Sequence, residues 1–68
     1  MAVVNVVELL AESGESWEDA VRQAVAETVR TIRNVRSVYV QEFQAVVEND
    51  RVTRFRPNVK ISFVHEPR

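Results

Sequence analysis

Few side chains in this sequence are of the types that carry out catalysis. There is a single histidine, His65, close to the C-terminal end, and there is no cysteine. The single glycine, Gly14, excludes phosphate-binding loops and the nucleophile turn of serine hydrolases, because those motifs need more than one glycine at fixed spacing. Pairs of carboxylates such as Glu8 and Glu12 are typical of solvated surfaces. The sequence therefore predicts a protein that is not an enzyme.

The second half of the chain contains residues of the types that bind planar, polar molecules. Ser37, Tyr39 and Phe43 lie at the alternate positions that share one face of a strand, and Arg56 and Lys60 follow in the next segment. Aromatic rings stack on planar groups, and guanidinium groups bind carboxylates and phosphates. A wet contact between subunits has a similar composition. From these residues alone, a ligand platform and a subunit interface both remain open.

The charge balance argues against nucleic acid and membrane surfaces as partners. Nine basic residues oppose ten acidic residues, which gives a net charge of -1 and a pI near 5.8. A nucleic-acid-binding surface normally has a clear basic excess. A short basic row is present in the last third of the chain, and it consists of Arg51, Arg54, Arg56 and Lys60. Without a net excess, we expect no nucleic-acid partner.

The elements that position these residues begin with one amphipathic helix. Ser16 is a candidate N-cap, and Asp19 three residues later completes a pair that resembles a capping box. Arg30 and Arg33 suit the last turn of a helix, and Asn34 suits the left-handed position after it. Apolar residues recur at helical spacing on one stripe, at Trp17, Ala20, Val21, Ala24, Val25, Thr28, Val29 and Ile32. The pattern predicts a helix from the residue after Ser16 to Arg33.

Three segments rich in valine predict β-strands, and they lie at 2–10, 35–48 and 51–65. The first has apolar residues at both odd and even positions, which is typical of a strand buried on both faces. The order of elements is therefore β-α-β-β. We expect a single α+β domain over 1–68, in which a three-stranded antiparallel sheet wraps around one helix.

The second and third strands are expected to form one long hairpin. Asn49 and Asp50 suit a tight two-residue turn, and direct pairing of the residues beside that turn places Val38 opposite Ile61. Pro57 has no N–H to donate, so it predicts an edge, a bulge or a break in the third strand. Each arm is much longer than the usual strand of about 5 or 6 residues. The helix cannot cover such a ribbon, so part of it is expected to pack on a neighbouring chain.

The chain is also too small to be stabilised by its own core alone. A domain of 68 residues buries only about 60% of its unfolded surface. Small folds are usually supported by disulfides, a metal or partner chains, and the absence of cysteine excludes the first. We therefore expect a homo-oligomer. The sequence has no recognisable targeting or membrane segment, which predicts a cytoplasmic protein.

Several segments of the chain resemble the dodecin family. The similarity is carried in order by residues 6–10 (VVELL), 16–21 (SWEDAV), 31–36 (TIRNVR), 44–49 (QAVVEN) and 58–63 (NVKISF). The resemblance implies a β-α-β-β subunit and a hollow homododecamer. It also implies binding of a flavin, FMN or riboflavin, at subunit interfaces, for storage rather than turnover.

The resemblance implies a site that includes Ser37, Tyr39 and Arg56, with two departures from the family pattern. Flavin-binding dodecins stack a tryptophan on the flavin ring, and the matching position in this chain is Ser37. A glutamine that bonds the flavin edge in some members matches Arg56. Loss of one aromatic stack, worth about 1–3 kcal/mol in nucleic-acid sites, would weaken binding tenfold to a hundredfold. Tyr39 lies on the same predicted face and is the candidate substitute.

An alternative ligand follows from the same resemblance. Some dodecins bind divalent cations such as calcium, and Glu15 and Glu42 match acidic positions linked to metals in a flavin-binding relative. Calcium takes 6–8 oxygen ligands, so two carboxylates per chain suffice only where symmetry gathers several copies. The alternative function is therefore a structural or storage dodecin that has lost flavin and sequesters cations or another small molecule.

Overall fold

The structure is a computed structural model that describes residues 3–65. The subunit has one helix and five strands, in the order β1 (Val3–Leu10), α1 (Trp17–Thr28), β2 (Val35–Glu42), β3 (Ala45–Glu48), β4 (Arg51–Phe55) and β5 (Asn58–His65). β1, β5 and β2 form an antiparallel sheet with β5 in the centre, and β3 and β4 form a separate two-stranded hairpin. The predicted α+β class, the single helix and the three-stranded antiparallel sheet are confirmed.

The core lies between α1 and one face of the three-stranded sheet, which we call the inner face. In the central strand, Val59 and Ile61 are fully buried, and the helix contributes Ala20 and Ala24 opposite them. β1 and β2 supply half-buried valines and a leucine on either side, among them Val7, Leu9, Val38 and Val40. Small alanines let the helix backbone approach the sheet closely. The predicted register of Val38 with Ile61 is confirmed, and in the same register Val40 lies opposite Val59.

The helix begins where the sequence predicted and ends earlier. The Ser16 side chain accepts a hydrogen bond from the Asp19 backbone N–H at 2.9 Å, so the predicted N-cap is confirmed. The helix ends at Thr28 rather than Arg33, because the next residues tighten into a turn whose N–H groups bond the carbonyls of Glu27 and Thr28. Arg30 and Arg33 therefore lie outside the last helical turn. Asn34 does adopt the left-handed conformation, with φ 62, and it leads directly into β2.

The long hairpin is interrupted in both arms. The register of β2 on β5 shifts between Val40 and Glu42, which leaves Gln41 as an extra residue, and β2 ends at Glu42. In the other arm, the buried ring of Pro57 separates β4 from β5, and its carbonyl accepts a hydrogen bond from the Ala11 N–H at 3.1 Å. The predicted strands 35–48 and 51–65 are thus two strands each. The Asn49–Asp50 turn is confirmed, since both residues have positive φ (53 and 62) as a tight hairpin turn requires.

β1 is covered on one face only, so the predicted burial of both faces does not occur within one chain. Val4, Val6 and Leu10 on the outer face are 61%, 59% and 62% exposed, whereas Val7 and Leu9 on the inner face are half-buried. No helix among residues 3–65 is long and apolar enough to cross a membrane.

The subunit as a whole is more extended than a stable monomer of its mass. Its radius of gyration is 14.0 Å, where a compact chain of this length has about 11 Å. Its accessible surface is 5257 Å², where a folded monomer of this mass has about 4,400 Å², an excess of roughly 900 Å². The single chain therefore exposes a surface of the size that subunit contacts bury.

The N-cap gives a direct test of the helix. Ser16→Ala removes the acceptor for the Asp19 N–H, so we expect the free energy of unfolding to fall by about 1 kcal/mol. Urea denaturation of both proteins at the same protein concentration measures this loss with the contribution of subunit association held constant. Ser16→Asp keeps an acceptor and serves as the control, with a midpoint close to that of the wild type. An unchanged midpoint for Ser16→Ala would contradict this role of Ser16.

Candidate functional site

Two of the predicted ligand residues lie side by side on the outer face of the three-stranded sheet. Ser37 is opposite Ser62, and Tyr39 is opposite Lys60. On the other side of the central strand, Val6 of β1 is opposite Ser62, and Glu8 of β1 is opposite Lys60. The residues therefore form two rows, and each row crosses all three strands. The alternation of side chains in a strand places all six residues on the face away from α1.

The geometry of this surface is that of an open platform. The Ser37 and Ser62 hydroxyl groups form a short hydrogen bond with each other, which leaves lone pairs free toward solvent. Tyr39 is 64% exposed at the middle of the edge strand β2, and Lys60 of the central strand is its cross-strand neighbour. A flat aromatic ring, a cation and two hydroxyl groups can hold one face of a planar polar molecule. The opposite face of such a molecule stays open to a second partner.

Phe43 does not belong to this surface, and its predicted place beside Tyr39 is wrong. The extra residue Gln41 reverses the alternation of side chains, so Phe43 turns to the helix side and packs edge-on against Trp17, with ring centroids 5.6 Å apart. Phe55 packs on Trp17 as well, at 4.8 Å. A register shift of this kind leaves no clear signal in the residue types, because apolar residues stand at both odd and even positions in this segment.

Trp17 is the centre of this aromatic cluster and is half-buried. Its indole N–H donates to the Gln44 carbonyl at 3.0 Å, which ties the first helical residue to the segment between β2 and β3. The expectation that Trp17 packs in the core or at an interface agrees with this position.

Arg56 lies apart from Ser37 and Tyr39. It belongs to the short link between β4 and β5 and precedes Lys60 by four residues. Four residues of extended chain span about 13 Å. Its guanidinium group lies 3.3 Å from a carboxylate oxygen of Glu12, and the same oxygen is 3.3 Å from the guanidinium of Arg54. Arg54 also reaches Glu48 at 3.3 Å. A single chain therefore does not bring Arg56 to the Tyr39 platform.

The two predicted metal ligands are both exposed and stand on different elements. Glu15 lies in the loop before α1, where its backbone N–H donates to the Ser13 hydroxyl at 2.9 Å. Glu42 ends β2 opposite Asn58. Within residues 3–65, no three side chains of the metal-ligating types converge on one point.

Comparison with known proteins identifies the family. The family model described as Dodecin matches residues 3–66, which is nearly the whole chain. A comparison with curated proteins finds no match.

Solved dodecin structures share the fold over the entire subunit. A mutant of the dodecin of T. thermophilus is 25% identical, with a TM-score of 0.93 and complete coverage of both chains. The dodecin of Streptomyces coelicolor is 24% identical, covers 98% of this chain and 96% of its own, and has a TM-score of 0.92. The calcium-chelating antigen calcium dodecin of Mycobacterium tuberculosis is 26% identical, with coverages of 96% and 93% and a TM-score of 0.83.

The ion pairs of Glu12 give a prediction that depends on salt. Glu12→Gln removes the charge shared by Arg54 and Arg56, so we expect the free energy of unfolding to fall by less than about 1 kcal/mol at low ionic strength. The loss should shrink in 1 M salt, since screening weakens exposed pairs. Glu27→Gln is the control, because the side chains of the Glu27–Arg30 pair at the end of the helix are 76% and 72% exposed. Equal effects of both variants at low salt would contradict a special role for Glu12.

Proposed function

The chain belongs to the dodecin family, and we propose that it forms a hollow homododecamer that binds a flavin, FMN or riboflavin, at subunit interfaces. The proposed role is storage of the ligand rather than its chemical conversion. The observation that carries this proposal is the exposed Tyr39 ring on a sheet face that has no second layer in its own chain.

The shape and surface of the subunit support assembly. The outer face of the sheet presents Val4, Val6, Leu10 and Tyr39, each about three-fifths exposed. Several large apolar side chains exposed on one face of a sheet are typical of binding and subunit surfaces. The excess of roughly 900 Å² over a compact monomer is close to the area of about 800 Å² that each partner buries in a standard interface.

The chemistry of the platform supports a planar ligand. Tyr39 offers a ring for stacking, while Lys60 and the Ser37–Ser62 pair offer polar groups at its edge. One copy covers only one face of a flat ring system, so a second copy completes the enclosure across the interface. Arg56, held by Glu12 at the far end of the sheet, would reach the ligand from such a neighbouring copy.

A tryptophan at position 37 is expected to strengthen this site. Ser37→Trp adds a stacking ring two residues from Tyr39, worth about 1–3 kcal/mol, so the dissociation constant for FMN and riboflavin should fall by about fivefold to a hundredfold. Tyr39→Ala should raise it, and Tyr39→Phe should keep most of the affinity because the ring remains. Quenching of flavin fluorescence by ligand-stripped protein measures the dissociation constants for FMN and for riboflavin.

Arg30→Trp is the matched control, since it adds the same ring at an exposed position beyond the helix end. It should leave the flavin affinity unchanged. If wild type and Ser37→Trp both fail to quench flavin at tens of micromolar protein, flavin binding is rejected. If flavin binds but Tyr39→Ala has no effect, the ligand lies elsewhere on the subunit.

A second candidate function is cation sequestration. The observation that favours it is the 26% identity, over 96% of this chain, with a calcium-chelating dodecin. Glu15 and Glu42 are exposed, so their carboxylates are free to meet copies from neighbouring subunits in a symmetric shell. Calcium sites need several oxygen ligands, which symmetry can supply where one chain cannot.

Calorimetric titration of the metal-free oligomer with calcium chloride tests this candidate. We expect saturable binding that Glu15→Gln and Glu42→Gln each weaken, because each removes a charged oxygen ligand from every copy in the shell. Glu27→Gln, an exposed carboxylate on the helix, should bind as the wild type does. Equal binding by all four proteins would exclude Glu15 and Glu42 as ligands.

A further inference from the structure

A small apolar pocket lies on the helix side of β2, across the strand from Tyr39. Its volume is about 280 Å³, and the half-buried side chains of Val21 in α1 and Val40 in β2 line it. Tyr39 and Val40 are consecutive residues of one strand, so their side chains point to opposite faces of the sheet. The pocket is therefore separate from the surface to which we assign the flavin.

Two aromatic rings form walls of this pocket. Trp17 and Phe43 meet edge-on, with ring centroids 5.6 Å apart and an angle of 73° between the ring planes. The indole N–H of Trp17 donates to the Gln44 carbonyl at 3.0 Å, which holds the indole ring in place. Phe43 remains 65% exposed, so most of its surface is not covered by its own chain. Such walls suit a compact apolar group, above all an aromatic ring.

Opposite charges stand at the edge of the pocket. Glu18 and Arg22 both line it and are exposed, and they lie one helical turn apart on the same face of α1. This spacing favours an ion pair, yet neither side chain forms an ion pair or a side-chain hydrogen bond with another residue of the described range 3–65. One carboxylate and one guanidinium group are thus free to bind a ligand beside a set of apolar side chains.

We propose that this pocket binds a free α-amino acid with an aromatic or branched apolar side chain. The side chain lies between Trp17 and Phe43, the α-ammonium group donates to Glu18, and the α-carboxylate accepts from Arg22. The helix rises about 6 Å from position 18 to position 22. An ammonium and a carboxylate group on one carbon atom span this distance when each forms a charged hydrogen bond of about 2.8 Å.

The chemistry of the pocket favours this class of ligand over simpler ones. A hydrocarbon would leave both charges without a partner, and a plain amine or carboxylate would pair with one charge and be repelled by the other. The volume of about 280 Å³ is at the lower limit of ligand pockets, about 300–1,000 Å³, which favours a small molecule over a three-ring flavin. A ligand with so few contacts is expected to have a dissociation constant of about 0.1–1 mM.

Trp17 reports directly on the occupancy of the pocket, because it is the single tryptophan of the chain. Titration of the intact protein with L-phenylalanine should change the tryptophan fluorescence saturably, and calorimetry should give the same dissociation constant. Three analogues each lack one group: phenethylamine has no carboxylate, hydrocinnamate has no ammonium group, and glycine has no side chain. Each should bind about tenfold more weakly or worse, since charge-assisted hydrogen bonds and aromatic contacts are lost.

Substitutions at the edge of the pocket assign the two charges. Glu18→Gln and Arg22→Gln should each weaken the binding of L-phenylalanine about tenfold. Glu18→Gln should not weaken the binding of hydrocinnamate, which has no ammonium group for that carboxylate. Both positions are exposed, so circular dichroism should show an unchanged fold. Glu27→Gln is the matched control, because it removes an exposed helix carboxylate outside the pocket and should bind as the wild type does.

Two results would overturn the proposal. The first is the absence of both a fluorescence change and heat with L-phenylalanine at tens of millimolar, which would show that the pocket is covered or has no such ligand in the intact protein. The second is equal binding of L-phenylalanine by the wild type, Glu18→Gln and Arg22→Gln. Neither result bears on flavin binding, which the variants of Tyr39 test on the other face of the sheet.

Discussion

The inner face of the three-stranded sheet has only one short helix to pack against it. Four apolar residues, Ala20, Ala24, Val59 and Ile61, are the buried core of the described chain, and the sheet and hairpin extend far beyond them along a 53 Å axis. Apolar burial is the main favourable contribution to folding, so a subunit this thin gains little of it alone. The exposed valines of β1 and of the β3–β4 hairpin follow from this shortage. Assembly is the physical solution that remains in a chain without disulfides.

Local irregularities in the long strands decide which side chains lie on each face of the subunit. The extra residue at Gln41 turns Phe43 toward Trp17 and leaves Tyr39 alone on the outer face. Pro57 separates β4 from β5, and β4 pairs with β3 in a separate hairpin. Bulges of this kind bend strands and redirect side chains. One continuous ribbon would have put Tyr39 and Phe43 on one surface. The interrupted ribbon leaves Tyr39 on the outer face and directs Phe43 to Trp17.

The two sides of the subunit also differ in chemistry. The outer side carries hydroxyl groups, charges and one exposed aromatic ring beside the exposed apolar side chains of β1. The Glu12 carboxylate pairs with both Arg54 and Arg56, which lie before the start of β5. The inner side holds the buried core and the aromatic cluster of Trp17. Packing within the chain is thereby confined to the inner side, and the outer side stays exposed.

Much of this was determined by the sequence itself. The capping pair of Ser16 and Asp19, the Asn49–Asp50 turn and the pairing of Val38 with Ile61 depend on local hydrogen bonds and on the alternation of side chains, which neighbouring residues specify. The side of the sheet that carries Ser37 and Tyr39 followed from the same alternation. The tertiary structure alone decided the end of the helix at Thr28, the turn of Phe43 and the separation of Arg56 from the platform. The last two features depend on contacts between residues distant in sequence, such as Trp17 with Gln44 and Glu12 with Arg56, and no local pattern encodes them.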